Sequence, residues 1–145
     1  MHILISPNAF KHSVDAHTAA LAIEQGFKES RLACTTECFP VGDGGDGTGT
    51  LLTQMLNGHF ITETVQDPLG RMINASFGLI DEGQTAVIEM AAASGLHLLI
   101  ADEPDPLHAT SYGTGELIIK ALDRNVKKII LCVGGSAFII NSPVP

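Results

Sequence analysis

The chain has 145 residues, of which 45% are hydrophobic and 17% are charged, a composition that indicates a globular protein and excludes intrinsic disorder. The net charge of −8 argues against nucleic acid or an anionic membrane as a partner, because both reward a basic surface. The start of the chain leads directly into a strand-like run, and no apolar run is long enough to span a bilayer, so we expect a soluble, cytoplasmic protein without membrane contacts. The three cysteines, Cys34, Cys38 and Cys132, lack C-x-x-C spacing and are expected to be buried, reduced thiols.

The first third of the chain alternates strand-like and helical patterns. Residues 3–5 predict a buried strand, and a helix follows from Ser13 or Asp15, with inward positions at Ala16, Ala20, Ile23 and Phe27. Residues 35–41 predict a second strand, which runs into a glycine-rich loop and then into a helix over 50–57 that ends at Gly58. This order predicts a parallel sheet that binds ligands at the carboxyl ends of its strands.

The pattern changes near residue 59, where short turns join strands over 59–66, 72–80 and 85–90. A short helix over 91–99, a loop over 102–108, a helix over 115–125 with Leu117, Ala121 and Leu122 inward, and a strand over 128–133 complete the pattern. We therefore predict an α/β protein with a Rossmann-like parallel-sheet domain over 1–66. The beginning of a second α/β domain with a mixed sheet follows over 67–145, and we expect it to be incomplete at the carboxyl end.

The glycine-rich loop at 41–49 has the composition of a ligand site. Five glycines flank Asp43 and Asp46, and serial glycines let a backbone approach an anion closely. Two bare carboxylates would repel a phosphate, so a cation is needed, and the loop predicts a phosphate site with Mg²⁺ held by these aspartates. An ordinary turn is the plainer alternative. The loop also matches the dinucleotide pattern G-x-G-x-x-G, with Glu63 near the position of a ribose ligand, so a nicotinamide-dependent oxidoreductase is a second alternative.

Several other polar residues are candidates for the chemistry. Lys11 follows the first strand and could reach a phosphoryl group, although a solvated surface lysine is the common case. Ser94 and Thr114 could bind substrate, and Thr114 could equally cap a helix. Glu89 is either a ligand at the end of a strand or part of a solvated edge. The six histidines have no metal-ligand spacing and are read as structural or exposed.

Taken together, these segments resemble the type I glycerate kinases from residue 2 to about Ala137. The resemblance is carried by Pro7–Ser13, close to the family's P-D-S-F-K-x-S, and by Pro40–Thr48, close to P-V-A-D-G-G-E-G-T. Further collinear matches are Pro68-Leu69-Gly70, Glu89–Leu96, Tyr112–Leu117 and Gly134–Ala137. Asn8 and Ala9 replace an Asp-Ser pair of the family beside Lys11, which removes a carboxylate and a hydroxyl there.

The resemblance implies transfer of the γ-phosphoryl group of ATP, with Mg²⁺, to D-glycerate, with 2-phosphoglycerate as the favoured product. On chemistry and motif matching, Lys11, Asp43 and Asp46 are the catalytic candidates. The predicted phosphate donors are Gly44, Gly45, Gly47, Thr48, Gly134, Gly135 and Ser136. Beyond Ala137 the sequence departs from the family's T-N-D-G-G-x-G, and family members are more than twice as long. We therefore expect a truncated chain, inactive alone, that needs the missing carboxyl-terminal part, and a non-enzymatic fragment or subunit is the third alternative.

Overall fold

The computed structural model describes residues 1–10, 13–100 and 108–137, which form two compact units, Met1–Asp43 and Gly44–Pro145. The sequence-based domain boundary was placed after Gln66, whereas the compact units divide after Asp43. The reason is that the strand ending at Gln66 pairs over its full length with the next strand, which ties it to the second unit. None of the helices in the described ranges is both long and apolar enough to cross a membrane.

The first unit is a two-stranded parallel sheet with one helix. Strand β1 (His2–Ile5) pairs with β2 (Thr35–Cys38), and helix α1 (Ala16–Glu29) connects them and packs mainly on β2. Asp15 caps α1, because its carboxylate accepts the backbone N–H of Thr18 at 2.8 Å. The unit buries little apolar surface, and Leu4, on β1, is 58% exposed.

The second unit is built on a four-stranded mixed sheet in the order β3-β4-β5-β6. The strands are β3 (His59–Gln66), β4 (Met72–Ile80), β5 (Thr85–Glu89) and β6 (Lys128–Cys132). Neighbours are antiparallel except β5 and β6, which are parallel, with Glu89 beside Cys132. The carboxyl ends of β5 and β6 therefore lie side by side.

Helices cover both faces of this sheet. Helix α4 (Tyr112–Leu122) packs on one face through Leu117 and Ala121, against the buried Phe77 and Ile88. Helix α2 (Thr48–Met55) packs on the other face, where Leu52 meets a cluster that includes Val87. A side chain on Gly78 would overlap Thr53 of α2, so this glycine lets the helix lie directly on β4. Helix α3 (Ala91–Ser94) and a 3₁₀ turn (Leu96–Leu98) follow β5.

The α/β class and the combination of a parallel with a mixed sheet are confirmed. The predicted strands 59–66 and 72–80 match β3 and β4 at both ends. Helix α4 begins at Tyr112 rather than at Gly115, and Leu122, predicted to face inward, is 54% exposed. Of the positions predicted inward on α1, Ile23 is 40% exposed. The predicted loop at 102–108 and the chain after Ala137 lie almost wholly outside the described residues.

Candidate functional site

The glycine-rich turn is held in shape by bonds within the second unit. Gly44 donates its N–H to Thr48 Oγ1 at 3.1 Å, and Thr48 donates its own N–H to the Gly45 carbonyl at 3.1 Å. Gly47 is the N-cap of α2 with a φ of 87°, a left-handed conformation in which a side chain would be strained. Thr48 is buried and Asp46 is exposed at the tip of the turn.

Glu89, at the carboxyl end of β5, caps the N-terminus of α2. Its carboxylate accepts the N–H of Gly47 at 2.5 Å and the N–H of Gly49 at 3.0 Å. A helix leaves its first N–H groups without partners inside the helix, and a negative charge is favoured there. Burial raises the pKa of the neighbouring Cys132 thiol, and the negative charge of Glu89 raises it further.

The turn after β6 lies directly against the glycine-rich turn. Gly134 donates its N–H to the Gly44 carbonyl at 2.7 Å, and a side chain on Gly134 would overlap the backbone of Gly45. A side chain on Gly135 would overlap Oδ1 of Asp46. Two backbone turns therefore meet at glycines, and the Asp46 carboxylate rests on the second turn. That the second turn also contacts a phosphate stays a prediction.

The imidazole of His97 lies beside the Asp46 carboxylate. Its Nδ1 lies 3.8 Å from Asp46 Oδ2, and about half of each side chain is exposed, 49% for His97 and 59% for Asp46. The pair is an ion pair only when His97 is protonated. Both groups are therefore open to a ligand that approaches the turn.

Of the three predicted catalytic residues, Asp46 lies in this arrangement. Lys11 lies outside the described residues. Asp43 is exposed and is the last residue of the first unit, so its role as a second carboxylate stays a prediction.

The two candidates for substrate binding lie inside the protein. Ser94 is fully buried, and its hydroxyl is 2.7 Å from the hydroxyl of Thr114, which is 5% exposed. Thr114 lies within α4, so it does not cap the helix, whose N-cap is Ser111. The pair links α3 to α4. Direct substrate binding by either hydroxyl stays a prediction, and it would require exposure of groups that are buried here.

The predicted phosphate donors are partly engaged within the chain. The N–H groups of Gly44, Gly47 and Gly134 already bond to Thr48, Glu89 and Gly44 respectively. Ser136 forms an isolated antiparallel bridge with Gly95. The binding of phosphate by these residues therefore stays a prediction, and it cannot rely on those three N–H groups in the conformation observed.

The geometry does not support the dinucleotide alternative. In a dinucleotide site the helix N-terminus faces the pyrophosphate, but here the N-terminus of α2 faces the carboxylate of Glu89. Glu63, the proposed ribose ligand, accepts a hydrogen bond from Arg124 at 2.9 Å. The helix that follows the pattern packs on β4 and β5.

The side chains at the glycine-rich turn suit a Mg²⁺ site that is completed by phosphate oxygens and water. Within the described ranges no three His, Cys, Asp or Glu side chains are grouped as a complete protein cage. Magnesium is commonly held by one or two carboxylates together with substrate phosphates and water. The exposed carboxylate of Asp46 fits that description, and Glu89 fits it less well because its two oxygens already accept N–H groups.

Sequence reasoning left Glu89 with two open interpretations and did not include it, or His97, among the site residues. The signal for Glu89 was an acidic residue directly after the apolar run Thr85–Ile88. The signal for His97 was absent, because its contact with Asp46 depends on how the turn after α3 folds back. The helix capped by Glu89 begins 41 positions earlier in the chain, so only the fold shows the contact.

Comparisons with known proteins agree on one family. The family model described as "Glycerate kinase family" matches residues 3–139. Glycerate kinase of Bacillus subtilis is 49% identical over 94% of this chain, and glycerate 2-kinase of Escherichia coli is 46% identical over 94%. Each match covers 36% of the relative. A crystal structure of a Salmonella typhimurium LT2 protein assigned as glycerate kinase 2 matches 95% of this chain and 37% of its own, with a TM-score of 0.75 and 44% identity.

Proposed function

The chain belongs to the glycerate kinase family, and we propose that it supplies part of the active site for phosphoryl transfer from ATP to D-glycerate. The observation that carries the proposal is the family match over 3–139 together with the carboxylate of Asp46 on two touching glycine turns. Phosphoryl transfer depends on positioning and on charge stabilisation more than on covalent chemistry by the protein. Hydrogen-bonded turns that present the carboxylate of Asp46 suit a reaction that depends on positioning and charge.

The proposal concerns a part of the kinase, since the chain spans about a third of the length of the relatives it matches. A kinase cleft needs walls that exclude water and align the attacking and leaving oxygens. We infer that the chain works together with residues equivalent to the remainder of those relatives. The non-enzymatic alternative is this same chain without such a remainder.

Asp46 is the residue we place at the reaction. Its carboxylate would hold Mg²⁺ together with phosphate oxygens, or would accept the proton of the glycerate hydroxyl. A bound Mg²⁺ would neutralise charge on the transferring phosphoryl group. Lys11 would add a positive charge to the same group, and Asp43 is the second candidate carboxylate. The name of the Escherichia coli relative favours the 2-hydroxyl of glycerate as the acceptor.

The test uses a full-length chimera in which residues 3–139 of this chain replace the matching part of the Bacillus subtilis enzyme. In that chimera Asp46→Asn should lower kcat at least about 100-fold, the effect of losing a positioned electrostatic or acid–base group. The control is Asp123→Asn, an exposed carboxylate at the end of α4, which should leave kcat unchanged. Near-normal turnover of the Asp46→Asn chimera, measured with ATP and D-glycerate, would remove Asp46 from the proposal.

A further inference from the structure

Glu89 connects the end of strand β5 to the turn that carries Asp46. Its backbone is fixed at the end of β5, which pairs with β4 on one side and β6 on the other. Its carboxylate leaves the strand and accepts the N–H of Gly47, the residue directly after Asp46, and the N–H of Gly49. The carboxyl end of one strand is thereby bonded to the start of α2.

The space between Gly49 and Glu89 leaves little room for a side chain at position 49. A side chain on Gly49 would lie 3.0 Å from Oε2 and 3.2 Å from Cβ of Glu89, closer than ordinary van der Waals contact. Gly47 offers no side chain that could cap α2, and no other side-chain cap is present. Glu89 therefore performs the capping role of a local Ser or Asp from a strand 40 residues away.

The same bond limits where Asp46 can lie. The Gly44–Thr48 bond closes the turn across Asp46, the Gly134–Gly44 bond holds it before Asp46, and Glu89 holds it after Asp46. Between these anchors Asp46 rests on Gly135, where no Cβ could fit. Loss of the Glu89 anchor would remove the bonds to the N–H groups of Gly47 and Gly49 and weaken the hold on the residue next to Asp46.

We propose that Glu89 is a positioning residue, which holds the Asp46 carboxylate in its reactive place by bonding the N–H groups of Gly47 and Gly49. It acts through the turn and does not itself contact the reacting groups. This inference rests on the proposed function of Asp46, and it adds a residue outside the glycine-rich motif to the site. A displaced catalytic group lowers the rate of the bound complex, so kcat should fall more than KM rises.

The experiment compares Glu89→Gln with Glu116→Gln in the full-length chimera. Glu116 is the matched control, because its half-buried carboxylate also accepts a backbone N–H, that of Gln66 at 2.7 Å, but at the end of β3 rather than in the glycine-rich turn. Glu89→Gln should lower kcat at least about tenfold, the loss of one charged hydrogen bond, and change KM for ATP and glycerate less than about threefold. Glu89→Asp, which keeps the charge, should recover part of the loss. Glu116→Gln should retain kcat.

Hydrogen exchange followed by mass spectrometry gives a readout that does not depend on activity. Glu89→Gln should speed exchange in a peptide covering 44–52, and Glu116→Gln should not. Unchanged kcat or unchanged exchange in Glu89→Gln overturns the proposal, as does an equal loss of kcat in both variants, which would indicate general destabilisation. If the unmutated chimera is inactive, the proposed function fails, and the exchange comparison still decides whether Glu89 holds the turn.

Discussion

Asp67 is a buried carboxylate that accepts several hydrogen bonds in the turn between β3 and β4. Its side chain is 1% exposed, and it accepts the N–H of Leu69 at 2.8 Å and the N–H of Arg71 at 2.9 Å, while Arg71 Nε donates to the other oxygen at 2.5 Å. Burial raises the pKa of this carboxyl, but the hydrogen bonds from Arg71 and Leu69 and the Arg71 charge outweigh it, so the pKa lies below its ordinary value. The turn between β3 and β4 therefore depends on an ionised Asp67.

The lowered pKa of Asp67 has a defined consequence for stability. A carboxyl with a lower pKa in the folded state stabilises the fold above its unfolded pKa, and that contribution is lost as pH falls through the folded pKa. Asp67→Asn should cost about 1–3 kcal/mol of unfolding free energy at pH 7, the range for a buried charged hydrogen-bonding group. Urea denaturation should show the difference from the parent shrinking below pH 4. The exposed Asp123→Asn serves as the control, and an equal pH profile in both variants would contradict the argument.

The sequence indicates the role of some residues through their immediate neighbours, but it gives no sign of contacts between residues far apart in the chain. Asp46 is a candidate from the sequence because its neighbours are glycines, which have few structural reasons to cluster, and its role stays a prediction. Glu89 was left open, because one acidic residue after an apolar strand has the same local pattern whether it caps a helix or meets solvent. The burial of Ser94 and Thr114 also had no local signal, since their partner is each other, 20 residues apart.

Helix α4 shows at the element scale how tertiary contact overrides local propensity. Two glycines, Gly113 and Gly115, lie in its first turns, and glycine disfavours a helix interior, so the sequence placed its start too late. Gly113 is needed because a Cβ there would overlap the carbonyl oxygen of Gln66 at the end of β3. Glycine lowers the intrinsic stability of the helix here, but it allows the helix to contact the strand directly.

The two glycines of α4 give a matched pair of variants. Gly113→Ala should destabilise the second unit by about 1–3 kcal/mol, because a methyl group would have to displace strand backbone. Gly115→Ala meets nothing within 4 Å and should stabilise the helix by about 0.5–1 kcal/mol, since alanine loses less entropy than glycine. The midpoint of urea denaturation measures both. A loss of stability in the Gly115 variant, or none in the Gly113 variant, would show that this contact does not position α4.

Strands were predicted better than helices for a physical reason. The turns Asp67–Gly70 and Asp81–Gly83 delimit β3, β4 and β5 with residues that favour tight turns, so their ends are marked locally. The inward face of α1 was predicted from apolar spacing alone, and Ile23 remains exposed because the two-stranded sheet is too narrow to cover that side of the helix. Periodicity identifies an apolar face but cannot show how much partner surface is available.

The two units differ in how well each can stabilise itself. In the described part of the second unit, ten buried residues form a continuous core on one face of the sheet, with Phe77, Ile88 and Leu117 among its largest members. Among the described residues of the first unit, the buried apolar ones are Ile5, Ala16, Ala19, Ala20 and Pro40, and parallel sheets are normally covered on both faces. We therefore expect amides of β1 and β2 to exchange faster than those of β4 and β5 in the isolated chain, as measured by hydrogen exchange. Equal protection would contradict this difference between the units.

The last prediction concerns the activity of the whole molecule. The isolated chain should show no ATP- and glycerate-dependent turnover, because it spans 36% of its relatives and exposes Leu4 on a sheet face that helices or further strands would ordinarily cover. Phosphoryl transfer also requires a site that excludes water and aligns both substrates. The full-length chimera, assayed beside the chain under the same conditions, is the positive control. Turnover of glycerate by the purified chain alone would show that the two glycine turns and their neighbours suffice for the reaction.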